Sequence, residues 1–233
     1  MALEFDQELD QLRIGALHMF HTTREAVENA LRAVRTRDQE LSQEVIDGDG
    51  CIDRLESRLE AQGLRLLALK QPVARDLRAI MGSTRIASNL ERIADEAANI
   101  AKRNIILLDL PPTREIPSFT QLSETCLELF DKATQAYTNN SLELAQEVRL
   151  AHELIANLHM RAFRDLTDTM IREPHAVERI VQLSFVAYSL KRICDRFSNI
   201  AESVIFIVEG LDVKHGFATR PNRDEESAQG RAS

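Results

Sequence analysis

The sequence predicts an all-α protein, a tandem repeat of two up-down-up three-helix bundles with six long helices, and three observations carry that prediction. First, Leu90-Glu91-Arg92-Ile93-Ala94-Asp95 returns one hundred positions later as Leu190-Lys191-Arg192-Ile193-Cys194-Asp195, and Asn99-Ile100-Ala101 returns at the same offset as Asn199-Ile200-Ala201. A repeat of that length is a duplicated domain. Second, the 233 residues hold only 8 Gly, 6 Pro and 5% aromatic side chains with no Trp, while Leu, Ala, Glu, Arg and Gln dominate; that is the composition of long helices rather than sheets. Third, between the prolines the apolar residues recur at helical spacing.

Helix one is expected from about Phe5 to Val34, with Leu9, Leu12, Leu17, Phe20, Val27, Leu31 and Val34 along it. Thr36 with Gln39 has the spacing of a capping box and is expected to open helix two. Gly48 and Gly50 weaken that helix by roughly 1 kcal/mol each relative to Ala, so a kink or fraying is expected there. Proline belongs at a helix's first turn and not in its interior. Pro72 therefore separates helices two and three, the trio Pro111, Pro112 and Pro117 marks a break from Asp109 to Pro117, and Pro174 separates helices five and six. Ser118 with Gln121 reads as a second capping box opening helix four, and Asn139-Asn140-Ser141 divides helices four and five. Each helix is about 20 to 35 residues, roughly 30 to 50 Å. Short turns make neighbours antiparallel. Residues 1–110 thus form the first bundle and 118–212 the second. Residues 213–233 are polar and aperiodic, and are expected to be disordered.

A hydrophobic content of 44% is enough for a core, and the net charge of -8 argues against a general nucleic-acid binder, which needs a basic surface. Cys51, Cys126 and Cys194 form no CxxC pair and cannot all be bridged, which fits a reducing compartment better than a disulfide framework. The first ten residues carry four acids and no apolar run, unlike a signal peptide, and the apolar stretches are far below spanning length. A cytoplasmic location is expected.

The chemistry-bearing residues are carboxylates. Glu91, Asp95 and Asn99 lie four apart and share one helix face, and Asp49, Asp53 and Glu56 make a similar stripe on helix two. If helices two and three pack antiparallel, the stripes converge. Such an all-oxygen pocket selects hard cations: magnesium, calcium, manganese or ferric iron. With Arg54, Arg58 and Arg92 nearby, the same stripes equally fit a solvated face threaded with ion pairs. Asp47, Asp49, Gly50, Asp53 and Glu56 also fall in the register of an EF-hand loop, but Val45 stands at its first ligand position, and the segment is expected to stay helical. No Glu-x-x-His precedes any of the six histidines; the pairs His18/His21 and His152/His159 are the bland kind. No Gly-rich phosphate loop or nucleophile elbow is present, so no enzyme is expected. Arg65, Lys70, Arg75, Arg78 and Arg85 concentrate positive charge around the turn between helices two and three, interleaved with leucines. They form either a solvated helix end or a docking patch for an acidic partner.

Ile52-Asp53-Arg54-Leu55-Glu56, the run from Leu67 to Arg78 containing Lys70-Gln71-Pro72, and Leu90 to Asp95 together resemble the PhoU family of bacterial phosphate-signalling regulators. Leu190 to Asp195, Asn199 to Glu202 and Val204 to Gly210 resemble that family's closing segment, so the likeness spans residues 5–215. It implies a tandem pair of three-helix bundles, homodimeric and non-enzymatic, that couples the ATPase of the phosphate ABC transporter to a phosphate-sensing histidine kinase. The implied action is repression of the phosphate regulon when phosphate is plentiful. It also implies metal at E/D-x-x-x-D motifs, as iron, zinc, manganese or magnesium, here on Glu91 and Asp95 with Asp49 and Asp53. The second repeat departs from this pattern. Lys191 replaces the motif's acid, and matching Ile155 and Leu158 to Ile52 and Leu55 puts His152 and Ala156 where the first repeat has Asp49 and Asp53. Lys191 is expected to neutralise Asp195 directly, which leaves at most one metal site, in the first repeat.

Overall fold

A computed structural model describes residues 2–211 and 213. They form α1 (Ala2–Thr36), α2 (Gln39–Lys70), α3 (Ala74–Leu108), α4 (Pro117–Asn139), α5 (Leu142–Leu150), α6 (His152–Arg172) and α7 (Val177–Glu209), with a 3-10 turn at Pro174–Ala176 before α7. No strand occurs among the described residues. The all-α expectation and the three-plus-three arrangement hold, with the fifth expected helix delivered as α5 and α6, interrupted at Ala151. The expected disordered tail lies outside the described residues apart from Val213.

The described prolines lie in the connections or at the start of a helical element, never inside one. Pro117 is the first residue of α4, where its missing N–H is one the helix would leave unpaired anyway. The turns reverse on left-handed residues that are not glycine: Arg37, Gln71 and Asn140 have φ of 57°, 46° and 49°. Three details differ from expectation. α1 continues through Thr36, whose hydroxyl donates to the Arg32 carbonyl, and Asp38 caps α2 by accepting from the Leu41 N–H at 3.0 Å. A carboxylate at a helix start gains from the dipole as well as the hydrogen bond, so Asp38 takes the role over the threonine. Ser118 does not cap α4 either: Pro117 occupies the first turn, which draws Ser118 inside, where its buried hydroxyl has no partner. α2 also runs without interruption through Gly48 and Gly50. Packing of Val45 and Ile52 in the core outweighs two weak positions on the outer face.

The two bundles share one core. α3 and α7, about 50 Å long at 1.5 Å per residue, make the most extensive interface. They run antiparallel, because Gly82 meets Ile207, Asn89 meets Asn199, Glu96 meets Arg192 and Leu107 meets Arg179. An aromatic cluster adds a second tie: Phe20 of α1 packs on Phe130 and Tyr137 of α4, and Phe130 on Phe197 of α7, with ring centroids 5.2 to 6.3 Å apart. The Phe20–Phe130 and Phe130–Phe197 contacts are edge-to-face, a geometry that adds to simple burial. Arg37 and Arg179 converge on the end of α3, donating to the carbonyls of Leu108 and Leu110 and of Leu107. Leu107 and Leu108 lie in the last turn of α3, whose carbonyls have no partner four residues on within the helix. No helix among the described residues is long and apolar enough to cross a membrane.

Two glycines give opposite expectations. A Cβ on Gly82 collides with the Ile207 side chain, whereas one on Gly48 meets nothing within 4 Å. Gly82→Val is expected to cost about 2 kcal/mol through overpacking, and Gly48→Ala to gain about 1 kcal/mol through helix propensity. Urea unfolding midpoints of the two variants check both signs.

Candidate functional site

The expected stripes on α2 and α3 do converge. Burial, with Asp95 and Asp53 as neighbouring charges, raises the Asp49 carboxyl, and Lys102 opposes the shift. Burial also pushes Glu91 up to about 7, reinforced by Asp95, Glu56 and Asp53 and opposed by Arg92. Glu56 is raised chiefly by burial too, despite a hydrogen bond with Ser88. Asp49, Asp53, Glu56, Glu91 and Asp95 thus form one electrostatically coupled patch between the two helices. Ile52 and Leu59 on α2 and Leu90, Ile93 and Ala94 on α3 are buried beside it, which holds the acids on adjoining faces.

The acids fit a cation in chemistry: all are oxygen donors, they repel one another, and the buried Oδ1 of Asp49 has no hydrogen-bond partner. They are not drawn together in a finished shell. Among the described residues no three His, Cys, Asp or Glu side chains stand in a metal-holding arrangement. A cation would have to gather Asp49, Asp53, Glu91 and Asp95, replacing mutual repulsion by shared attraction.

The second repeat solves the same problem internally. Lys191 Nζ donates to Asp195 Oδ2 at 2.6 Å, as the spacing predicts. His159 lies beside this pair and its imidazole is pushed down, by burial first and then by Lys191. The match of Ile52 and Leu55 to Ile155 and Leu158 that places His152 against Asp49 also places His159 against Glu56. The two repeats therefore present acid, acid and acid against histidine, histidine and lysine. The place of His159 beside Lys191 and Asp195 is legible in that offset.

The basic residues around the α2–α3 turn are not gathered into one free patch. Arg65 and Lys70 lie 3.9 and 3.8 Å from Glu8 of α1. Arg78 donates to the Ile207 carbonyl and Arg85 lies 4.7 Å above the Phe206 ring, so both are turned toward α7. Arg75 stands exposed near Asp76 and Arg13, lining a separate hollow. All three cysteines are free; Cys51 is exposed, and Cys126 and Cys194 meet in the core of the second repeat.

Comparison with known proteins places this geometry in a family. The PhoU domain profile matches residues 16–103 and again 119–204. The phosphate-specific transport system accessory protein PhoU homolog of Aquifex aeolicus is 36% identical over 209 residues, covering 90% of this chain and 95% of that protein. The corresponding Pseudomonas aeruginosa protein is 31% identical over 97% of this chain and 94% of its own length. Among solved structures, PhoU from Pseudomonas aeruginosa superposes with a TM-score of 0.83 at 31% identity, covering 88% of this chain and 99% of that one. The phosphate transport system regulatory protein PhoU from Streptococcus pneumoniae gives 0.82 at 25% identity, covering 90% and 99%.

The acid patch sets a pH dependence. Glu91 titrates near 7 in the folded chain against an ordinary 4.5, so the folded state holds its proton more tightly, and stability falls as pH rises through that window and levels off above it. Glu91→Gln removes this slope. Without added metal, its unfolding temperature is expected to exceed that of the parent chain at pH 8 and to match it near pH 4.5; equal temperatures at both would contradict the coupled patch.

Proposed function

The chain belongs to the PhoU domain family, and we propose that it is a non-enzymatic regulator of phosphate transport that couples the ATPase of a phosphate ABC transporter to a phosphate-sensing histidine kinase. In this role it represses phosphate-starvation genes when phosphate is plentiful, working in the cytoplasm as a homodimer. The observation that carries the proposal is the twofold match to the family profile together with relatives named as phosphate-transport accessory proteins. The surface supports a protein that works by contact. Eight of the exposed large apolar side chains lie between residues 150 and 188, among them Leu154, Phe163, Phe185 and Tyr188. Exposed apolar surface concentrated on one bundle is a mark of partner binding.

The first repeat adds a cation-dependent element. Asp49, Asp53, Glu91 and Asp95 would hold the ion, and its charge would cancel the repulsion that raises Asp49 and Glu91. Lys191 supplies that charge to Asp195 in the second repeat, so a single metal site per chain is expected.

Two measurements test these proposals. Metal analysis of purified protein is expected to show stoichiometric metal that is lost in Asp95→Ala and kept in Asp195→Ala; the reverse pattern would overturn the asymmetry. Deleting the gene is expected to switch on phosphate-starvation genes in phosphate-rich medium, and the tagged chain to copurify with the transporter ATPase. Unchanged expression with no association would reject the regulator.

A further inference from the structure

The duplication makes α3 and α7 approximate counterparts, residue i of one matching residue i + 100 of the other, and they pack antiparallel. Every contact across their interface therefore has a counterpart with the two helices exchanged. Glu96 accepts from Arg192 Nη1 at 2.8 Å; the Glu96 side chain is only 6% exposed, while the Arg192 side chain keeps 46% of its surface exposed. Its counterpart pairs Arg92 with the residue matching Glu96, which is Arg196. Where one side of the interface has an ion pair, the other has two arginines.

Those arginines stand on an open cleft of about 500 Å³, lined by Arg85, Arg92 and Arg196 with Ser88, Asn89, Asn199, Ser203, Glu202 and Phe206. Neither Arg92 nor Arg196 makes a hydrogen bond or ion pair among the described residues. The charges around them are few. Arg92 reaches back electrostatically toward Glu91 and Glu56, and Glu202 is the one carboxylate in the lining. Arg85 is fixed over the Phe206 ring, and the Asn199 amide donates to Asn89 Oδ1, so the floor of the cleft is ordered. Three guanidiniums around one concavity present forked donors suited to a tetrahedral oxyanion.

We propose that this cleft binds a phosphate group, as free inorganic phosphate or as the head of a small phosphate monoester, held between Arg92 and Arg196 with Arg85 at the rim. The anion takes the place of the carboxylate that Glu96 supplies on the opposite side, and it ties the two repeats together at their longest contact. The cleft and the acid patch lie on adjoining sides of α3, joined through Ser88 and Arg92, yet the anion site depends on the arginines alone.

Calorimetric titration of the full chain in chelator, so that no bound metal contributes, tests the proposal with inorganic phosphate and with adenosine monophosphate. Saturable binding of one molecule per chain, weakened by salt, is expected for at least one probe; tighter binding of inorganic phosphate assigns the free anion, and tighter binding of the nucleotide assigns a monoester. Arg196→Glu recreates the ion pair of the opposite side. It is expected to lower affinity by about tenfold or more, as loss of a charged hydrogen-bonding partner does, while the unfolding temperature stays equal or rises. Arg92→Gln should lose binding likewise, and Arg161→Glu, a charge reversal at an exposed position on α6, should bind as the parent chain does. No saturable binding of either probe, parent-like binding by both cleft variants, or an equal loss in Arg161→Glu would each overturn it. Because no transporter or kinase is present, failure here leaves the regulatory role standing, and failure of that role leaves the cleft's binding standing.

Discussion

The antiparallel contact between α3 and α7 is the constraint on which the rest of the molecule depends. Gly82 permits it at one end: without a Cβ there, the backbone approaches closely enough for Ile207 to fill the space. Arg179 secures the other end by donating to the Leu107 carbonyl from a side chain that is itself buried. Between these points Ile86, Leu90, Ile93, Ala97 and Ile100 on α3 face Ile193, Phe197, Ile200 and Val204 of α7 in a shared core. Burying aliphatic side chains of this size contributes about 1.5 to 3 kcal/mol each, so the interface outweighs any single surface interaction. With α3 and α7 fixed, α1 and α2 have one groove to fill on the first side, and α4, α5 and α6 one on the second.

Across the duplication part of the core is unchanged and part is not, since buried Ala97 has Phe197 as its counterpart and buried Asn104 has Val204. Leu90, Ile93, Ile100 and Ala101 and their counterparts are fully buried and unchanged in type. Among the charge reversals between α3 and α7 are Glu91 against Lys191 and Glu96 against Arg196. Each changes what a surface can hold without disturbing the packing beneath it. The first reversal leaves acids crowded together in one repeat and a closed Lys191–Asp195 pair in the other. The second leaves a Glu96–Arg192 ion pair on one side of the interface and a cationic cleft on the other. The two differences are complementary in sign and lie on adjoining sides of the same helix.

Much of the fold was legible because its signals are local. Pro117 at a helix start, Asn140 in a left-handed turn and the four-residue spacing of Glu91 and Asp95 all act within one or two turns of chain. The Lys191–Asp195 pair was legible for the same reason. What escaped depends on neighbours far along the sequence. Thr36 and Gln39 matched a capping spacing, but α1 needed Thr36 as its last residue and Asp38 was the stronger cap. The basic residues near Pro72 looked like one patch, yet Glu8, Ile207 and Phe206 each claim some of them from other helices. The Glu96–Arg192 pair joins residues 96 apart in number and could not be read until the register of α3 and α7 was known.

The acid patch also bears on how the molecule responds to its surroundings. An exposed i,i+4 pair such as Lys191–Asp195 contributes only about 0.3 to 0.5 kcal/mol, but it removes the need for any outside charge. The first repeat has no such internal partner: Arg92 and Lys102 oppose the raised acids without overcoming burial and mutual repulsion. Glu91 therefore keeps its proton up to about pH 7 and is fully charged only above it. Charge state in one repeat is conditional and in the other fixed by sequence. Because α3 carries the conditional acids on one side and packs along α7 with the other, any shift that gathers Glu91 and Asp95 toward α2 acts on the same helix that positions Arg92 in the cleft.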